Sequence, residues 1–144
     1  MIKHPLTEQE FWDIYKKVPR LTVEIIVKND KEEIYLTKRS IEPCKGLWHL
    51  PGGTVRFGEP LTEAVKRIAK RELSITPTET GLVGYIEYPS HYLNGLDSPV
   101  GIAFAVTTYE DELQANDEAT DSGWFSTLPK EMHDEQRDFL NKQK

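Results

Sequence analysis

Gly52 and Gly53 stand side by side, and TVRFGEPLTEAVKRIAKRELSI follows them directly. Paired glycines permit a backbone turn that side chains would block. Beyond them Leu61, Ala64, Val65, Ile68, Ala69 and Leu73 recur at helical spacing as far as Ser74. Pro60 suits the first helical position, with Glu59 just before it, and Pro77 blocks any continuation. Glu72 lies one turn beyond Ile68 and three residues after Ala69, on the packed stripe of that helix. A carboxylate there is costly to bury unless it is paired or holds a cation. It therefore either coordinates an ion or forms a salt bridge with Arg67 or Arg71. Backbone carbonyls, Glu59, Glu72 and the Arg67 guanidinium in one short stretch suit a hard divalent cation and a phosphorylated ligand.

The remaining segments alternate between helix and strand. Thr7 followed by Glu8 and Glu10 reads as an N-cap with an acidic first turn. Phe11, Trp12, Ile14, Tyr15 and Val18 continue it as a short amphipathic helix that Pro19 stops. Residues 21–27 and 32–37 read as strands, and 40–46 as a loop. Residues 47–50 form a short apolar segment leading to Pro51 and the glycines. Residues 82–88 and 100–109 are further strands, separated by a loop over 89–99. Residues 111–122 are acidic and mostly loop, Trp124 and Phe125 are core, and 130–142 is a terminal helix. The expectation is one α/β domain over residues 1–144, with a mixed β-sheet.

Charge and cysteine usage bound the partners. A net charge of -6 disfavours an extended nucleic acid or an anionic membrane surface, while leaving room for one local phosphate pocket. Cys44 is the sole cysteine, so no internal disulfide can form, and a reducing cytoplasm is the expected location. Neither a signal-peptide core nor a membrane-spanning apolar run is present in the sequence.

The glycine–helix segment resembles the box of the Nudix hydrolases: Gly, five residues, Glu, seven residues, then Arg-Glu-apolar-any-Glu-Glu-any-Gly-apolar. Gly53, Glu59, Arg67, Glu72 and Ile75 fit that spacing. Residues 47–53, LWHLPGG, resemble the family's lead-in, and residues 118–124 its downstream metal loop. The resemblance implies an α/β/α sandwich with Mg²⁺ (or Mn²⁺) at the Gly52 carbonyl, Glu72 and Glu118. Ile68, Arg71 and Ser74 replace the box's Glu, Glu and Gly. A unit charge about 6 Å from a divalent ion feels about 5 kcal/mol at an effective dielectric of 20, so Arg71 is expected to point away from a bound ion. One ion rather than a cluster is the expectation.

The reduced box is similar to that of GDP-mannose mannosyl hydrolase, an atypical Nudix enzyme. The register extends to the Glu8-to-Phe11 helix start, Pro19, Glu24, Lys38-Arg39 and Gly46-Leu47-Trp48. Those relatives release GDP by water attack on the sugar carbon. The similarity implies Arg39 stabilising the leaving diphosphate, Phe11 contacting the nucleotide, and a homodimer. Three differences stand against it. Glu118 and Ala119 occupy the positions of the relatives' metal-binding Gln and catalytic His, Thr54 replaces an Arg, and the loop before residue 100 is shorter.

A general base is then unassigned, and His91 and Asp121 are the candidates, with His91 placed in a mobile loop. Arg39 reads either as a solvent-facing strand end or as a bidentate phosphate contact. Arg67 reads as orienting Glu59 or Glu72. Cys44 reads as unremarkable, since nothing nearby in sequence would make its thiol reactive. Three functions stay open. The leading one is hydrolysis of a nucleoside diphosphate-linked compound, foremost a nucleotide sugar. The others are pyrophosphate cleavage by attack on phosphorus, and nucleotide binding with weakened catalysis.

Overall fold

A computed structural model describes residues 6–108, 113 and 119–143. Glu118, expected as a metal ligand, and the acidic positions Asp111, Glu112 and Asp117 lie outside the described residues. The chain enters through α1 (Glu8–Tyr15), which Thr7 caps. The Thr7 hydroxyl accepts from the Glu10 N–H at 3.2 Å, and Glu10 Oε1 accepts from the Thr7 N–H at 3.0 Å.

Two sheets follow. The larger is mixed and runs β4–β1–β6–β5, from β4 (Gly52–Thr54), β1 (Arg20–Val27), β6 (Pro99–Thr107) and β5 (Glu79–Glu87). β1 pairs parallel to β6 and antiparallel to β4. The smaller sheet is antiparallel, β3 (Trp48–His49), β2 (Ile34–Arg39) and β7 (Ala119–Phe125). The mixed sheet expected from the alternating elements is present, with a second sheet beside it.

β1 is buried from Thr22 to Val27 because both of its faces are covered. Val23, Ile25 and Val27 face α2 (Leu61–Leu73), whose Ala64, Val65, Ile68, Ala69 and Leu73 are fully buried against them. Each large aliphatic side chain of this kind contributes about 1.5–3 kcal/mol when taken out of water. Ile26 belongs to a second core with Leu36, Leu50, Ile86, Met132 and Leu140, the last of these from α4 (Asp134–Lys142). Strand alternation then puts Thr22 and Glu24 on the face of Ile26, in line with the second core.

Several local expectations are corrected. Pro60 sits outside α2 as its N-cap, in an extended conformation (ψ 147°), and the helix begins at Leu61. The last helix starts at Asp134, after a turn through residues 130–131. Residues 89–93, expected as loop, form the short helix α3 (Pro89–Leu93). Residues 119–122, expected as loop, belong to β7, where β2 supplies a ladder that polar local sequence did not advertise. Ser74, in place of the box glycine, adopts the left-handed conformation (φ 59°) that closes α2.

Candidate active site

β1, β4, the turn after β2, α3 and the start of α4 enclose a cavity of about 360 Å³. Glu24 is its most constrained side chain. Its Oε1 accepts from the Thr22 hydroxyl at 2.9 Å and from the Tyr88 hydroxyl at 3.1 Å. The Tyr88 oxygen in turn accepts from Gln136 Nε2 at 3.0 Å, and Gln136 Oε1 accepts from the Leu50 N–H at 2.7 Å. Burial pushes the Glu24 carboxyl up to about 7, against the opposing pull of Thr22, Tyr88 and Arg20. Room for this carboxylate comes from two glycines. A Cβ at Gly52 would lie 2.2 Å from Glu24 Oε2, and one at Gly101 would lie 2.7 Å from Oε1.

Glu72, Gly52 and Gly53 line the same cavity. The Arg71 head, expected to point away, lies with its Nη2 3.5 Å from Glu72 Oε1 and would stand 2.8 Å from a Cβ at Gly53. Both readings of Glu72 meet here: its side chain is 17% exposed, on the cavity wall, and ion-paired. Arg71 is 50% exposed, so swinging it into water costs about 1 kcal/mol or less. Glu72 and Gly52 line this end of the cavity, and carboxylate and peptide oxygens are the donor type that suits a hard dication. Ile68 fills the core directly behind Gly53, where its Cδ1 would be 3.1 Å from an added Cβ.

Arg39 ends β2 at a bulge and lines the cavity, so the alternative of a solvent-facing strand end is set aside. Its buried Nε has no hydrogen-bond partner among the described residues. A buried guanidinium N–H left unmatched marks a place for an anionic acceptor. Phe11 reaches the cavity from α1, with the Arg20 guanidinium 5.5 Å from its ring centre. Arg20 also donates to Thr54 Oγ1 at 2.8 Å, so an arginine from β1 stands beside the end of the glycine turn.

Arg67 lies apart from this cavity. It donates twice to Glu59, at 2.7 and 2.9 Å, and to the Thr54 carbonyl at 2.9 Å. These bonds fasten the start of α2 to the end of β4 and hold the Glu59 carboxyl below its usual range. Asp121 is exposed on β7, where its Oδ1 accepts from the Ser122 N–H at 2.8 Å, and it is not among the residues lining the cavity. His91, the other candidate base, does line the cavity.

His91 is corrected from a mobile-loop residue to a half-buried one on α3. Its Nδ1 lies 3.1 Å from Asp97 Oδ1 and its Nε2 lies 3.1 Å from His133 Nε2. The Asp97 hydrogen bond and then the Cys44 thiol raise His91 to about 9. Burial pushes the Asp97 carboxyl up, but the His91 hydrogen bond and Arg20 outweigh it and hold it at about 2. Cys44 is corrected as well. Residues distant in sequence surround its sulfur, and hydrogen bonds from His133 and His91 lower its thiol to about 6. Nothing local to position 44 could reveal this.

No site role was expected from sequence for Glu24, Tyr88, Asp97, His133 or Gln136. Glu24 did carry a signal, as the one carboxylate within the apolar run LTVEIIV. The others depend on tertiary contacts.

A NUDIX domain model matches residues 18–143. The chain belongs to the NUDIX family. This NUDIX protein is 34% identical over 121 residues to the ADP-ribose pyrophosphatase of Methanocaldococcus jannaschii, covering 83% of this chain and 70% of that one. It is 33% identical over 113 residues to the low-salt glycan biosynthesis protein Agl8 of Haloferax volcanii, covering 76% and 72%. The crystal structure of a MutT NUDIX hydrolase from Burkholderia pseudomallei superposes with a TM-score of 0.78 at 28% identity, covering 87% and 98%. The chain is a Nudix hydrolase of mixed α/β fold. No described helix is long and apolar enough to cross a membrane.

Proposed function

We propose that this Nudix hydrolase cleaves a nucleoside diphosphate joined to a second group, foremost a nucleotide sugar, releasing the nucleoside diphosphate and free sugar. The observation that carries this reading is the unmatched, buried Nε of Arg39 in the cavity that also holds Glu72 and Glu24. An anionic diphosphate oxygen satisfies that donor, and the guanidinium then offsets the charge that collects on the leaving group. Phe11 supplies a flat apolar surface for the nucleotide base. Glu24, buried and held by Thr22 and Tyr88, is the group that takes or gives a proton at its Oε2. Glu72 and the Gly52 carbonyl would hold a divalent ion, Mg²⁺ foremost, which supplies charge neutralisation at the diphosphate. Glu118 remains the proposed third ligand. The similarity to a glycan biosynthesis protein supports a sugar-linked substrate.

A second reading, attack on phosphorus to split the pyrophosphate, is favoured by the comparable similarity to an ADP-ribose pyrophosphatase. Incubating the protein with Mg²⁺ and either GDP-mannose or ADP-ribose in ¹⁸O-water separates the two. Label in free mannose, with unlabelled GDP, supports the first reading. Label in a released monophosphate supports the second. Binding of either compound without turnover under any divalent ion would sink both.

A further inference from the structure

The cavity has a second group of donors that the proposed hydrolysis does not use. Cys44 comes from the turn between β2 and β3, His91 from α3, and His133 from the residue preceding α4. Cys44 Sγ lies 3.9 Å from His91 Nε2, the two imidazole Nε2 atoms lie 3.1 Å apart, and all three donor atoms fall within 4.8 Å of one another. With metal–nitrogen bonds of about 2.0–2.1 Å and a metal–sulfur bond of about 2.3 Å, a tetrahedral ion needs edges of roughly 3.4 Å between nitrogens and roughly 3.6 Å between nitrogen and sulfur. The His91–His133 and Cys44–His91 pairs lie within about 0.3 Å of those edges, and the third pair closes within 4.8 Å.

The surroundings fix the ring orientations. His91 Nδ1 faces Asp97 Oδ1 at 3.1 Å, and Arg20 Nε anchors Asp97 through Oδ2 at 2.6 Å. A proton on Nδ1 leaves the His91 Nε2 lone pair aimed into the cluster, the carboxylate–histidine arrangement that supports metal ligands. His133 Nδ1 is buried without a hydrogen bond among the described residues, 3.6 Å from Glu135 Oε1, so its Nε2 is likewise available as a donor. A small closing movement toward Glu135 would complete the same support on the second ring. Two imidazole nitrogens 3.1 Å apart can share only one proton between them, whereas one ion accepts both lone pairs.

We propose that Cys44, His91 and His133 form a binding site for a borderline-soft divalent ion of the zinc class, with its fourth position open to the cavity. One sulfur and two imidazoles discriminate against Mg²⁺, which takes oxygen donors, so the two ends of the cavity select different metals. Three protein ligands and one open position is the pattern of a site that binds a water or a ligand oxygen rather than one that only staples a fold. The competing arrangement is Cys44 as a nucleophile with His91 as its base and Asp97 as orienter. His133 argues against it, since its Nε2 is closer to His91 Nε2 than the sulfur is.

Metal-stripped full-length protein titrated with Co²⁺ tests the site without reference to turnover. The expected result is one equivalent bound, with a thiolate-to-cobalt charge-transfer band and the intense visible bands of a four-coordinate ion. Zn²⁺ should displace it, and Mg²⁺ in large excess should not. Cys44→Ser should abolish the charge-transfer band, and His133→Ala should weaken binding by about tenfold or more. Asp97→Asn should keep the band while weakening affinity about 10–100-fold, as loss of a ligand-orienting partner does. Where a variant fails to fold, X-ray absorption on the zinc-loaded wild type decides the ligand set, with one sulfur and two imidazole nitrogens expected. Three outcomes overturn the proposal: no thiolate band at any Co²⁺ concentration, a Co²⁺ affinity that survives Cys44→Ser, or iodoacetamide labelling of Cys44 that Zn²⁺ does not slow.

Discussion

Glu24 occupies the space that a side chain at Gly52 would need: an added Cβ would stand 2.2 Å from Glu24 Oε2 and 2.6 Å from the Val23 carbonyl oxygen. One of these neighbours is backbone and the other is a buried carboxylate held by two hydroxyls, so neither yields cheaply. Gly52→Ala is expected to destabilise the fold by about 3 kcal/mol, at the upper end of overpacking costs. Urea melts check this. Gly46→Ala is a control for loss of a glycine: nothing stands within 4 Å of an added Cβ there, though its φ of +86° carries its own strain.

Burial raises Glu24 to about 7, so between its unfolded value and pH 7 the folded state holds a proton the unfolded state has lost. Its contribution is fully present below about pH 4.5 and is lost as pH rises through 7. Over that window it amounts to about 3 kcal/mol. Glu24→Gln should remove this part of the pH dependence, so wild-type and variant stability curves should converge toward low pH, part between about pH 4.5 and 7, and stay apart above it. Parallel curves from about pH 5 to 8 would show that Glu24 does not carry the shift.

Arg39→Lys keeps a positive charge but removes the buried Nε donor. If the guanidinium meets the diphosphate, kcat should fall about 10²–10³-fold, as when one preorganised donor is removed from a developing negative charge. Thermal unfolding should change little. Steady-state kinetics on the preferred substrate, beside a melting curve, provide the check.

Arg71 stands where a cation at Glu72 would meet it. Arg71→Gln should lower the Mg²⁺ concentration needed for half-maximal activity, by about tenfold, because it removes a competing positive charge. Glu72→Gln should raise it by at least as much. Metal titrations of the two variants are informative together. Equal requirements in both would detach this carboxylate from the ion.

Periodicity carried much of the fold. The stripe from Leu61 to Leu73 located α2 and its buried face, and Thr7 with Glu10 located the start of α1. Where local sequence was polar or short, tertiary contacts decided: Ala119–Phe125 became a strand because β2 lay beside it, and Pro89–Leu93 coiled between two strands. For the cavity, helical spacing singled out Glu72, while Gly52 and Arg39 were indicated only by the resemblance to the Nudix family. Spacing could not join Cys44 to His91 and His133, because that meeting is made by folding rather than by sequence proximity. Glu24 was visible in its strand, but its role depended on Gly52 and Gly101 leaving space on either side.

The parallel pairing of β1 with β6 sets the order of events when this protein is made. β1 gains its parallel neighbour only after six intervening elements, β2 through α3, have been synthesised. Until then Val23, Ile25 and Val27 have a bare edge beside them, and loop closure rather than local propensity governs how fast they are covered. A nascent chain stalled before residue 99 should therefore be prone to clumping through its own β1.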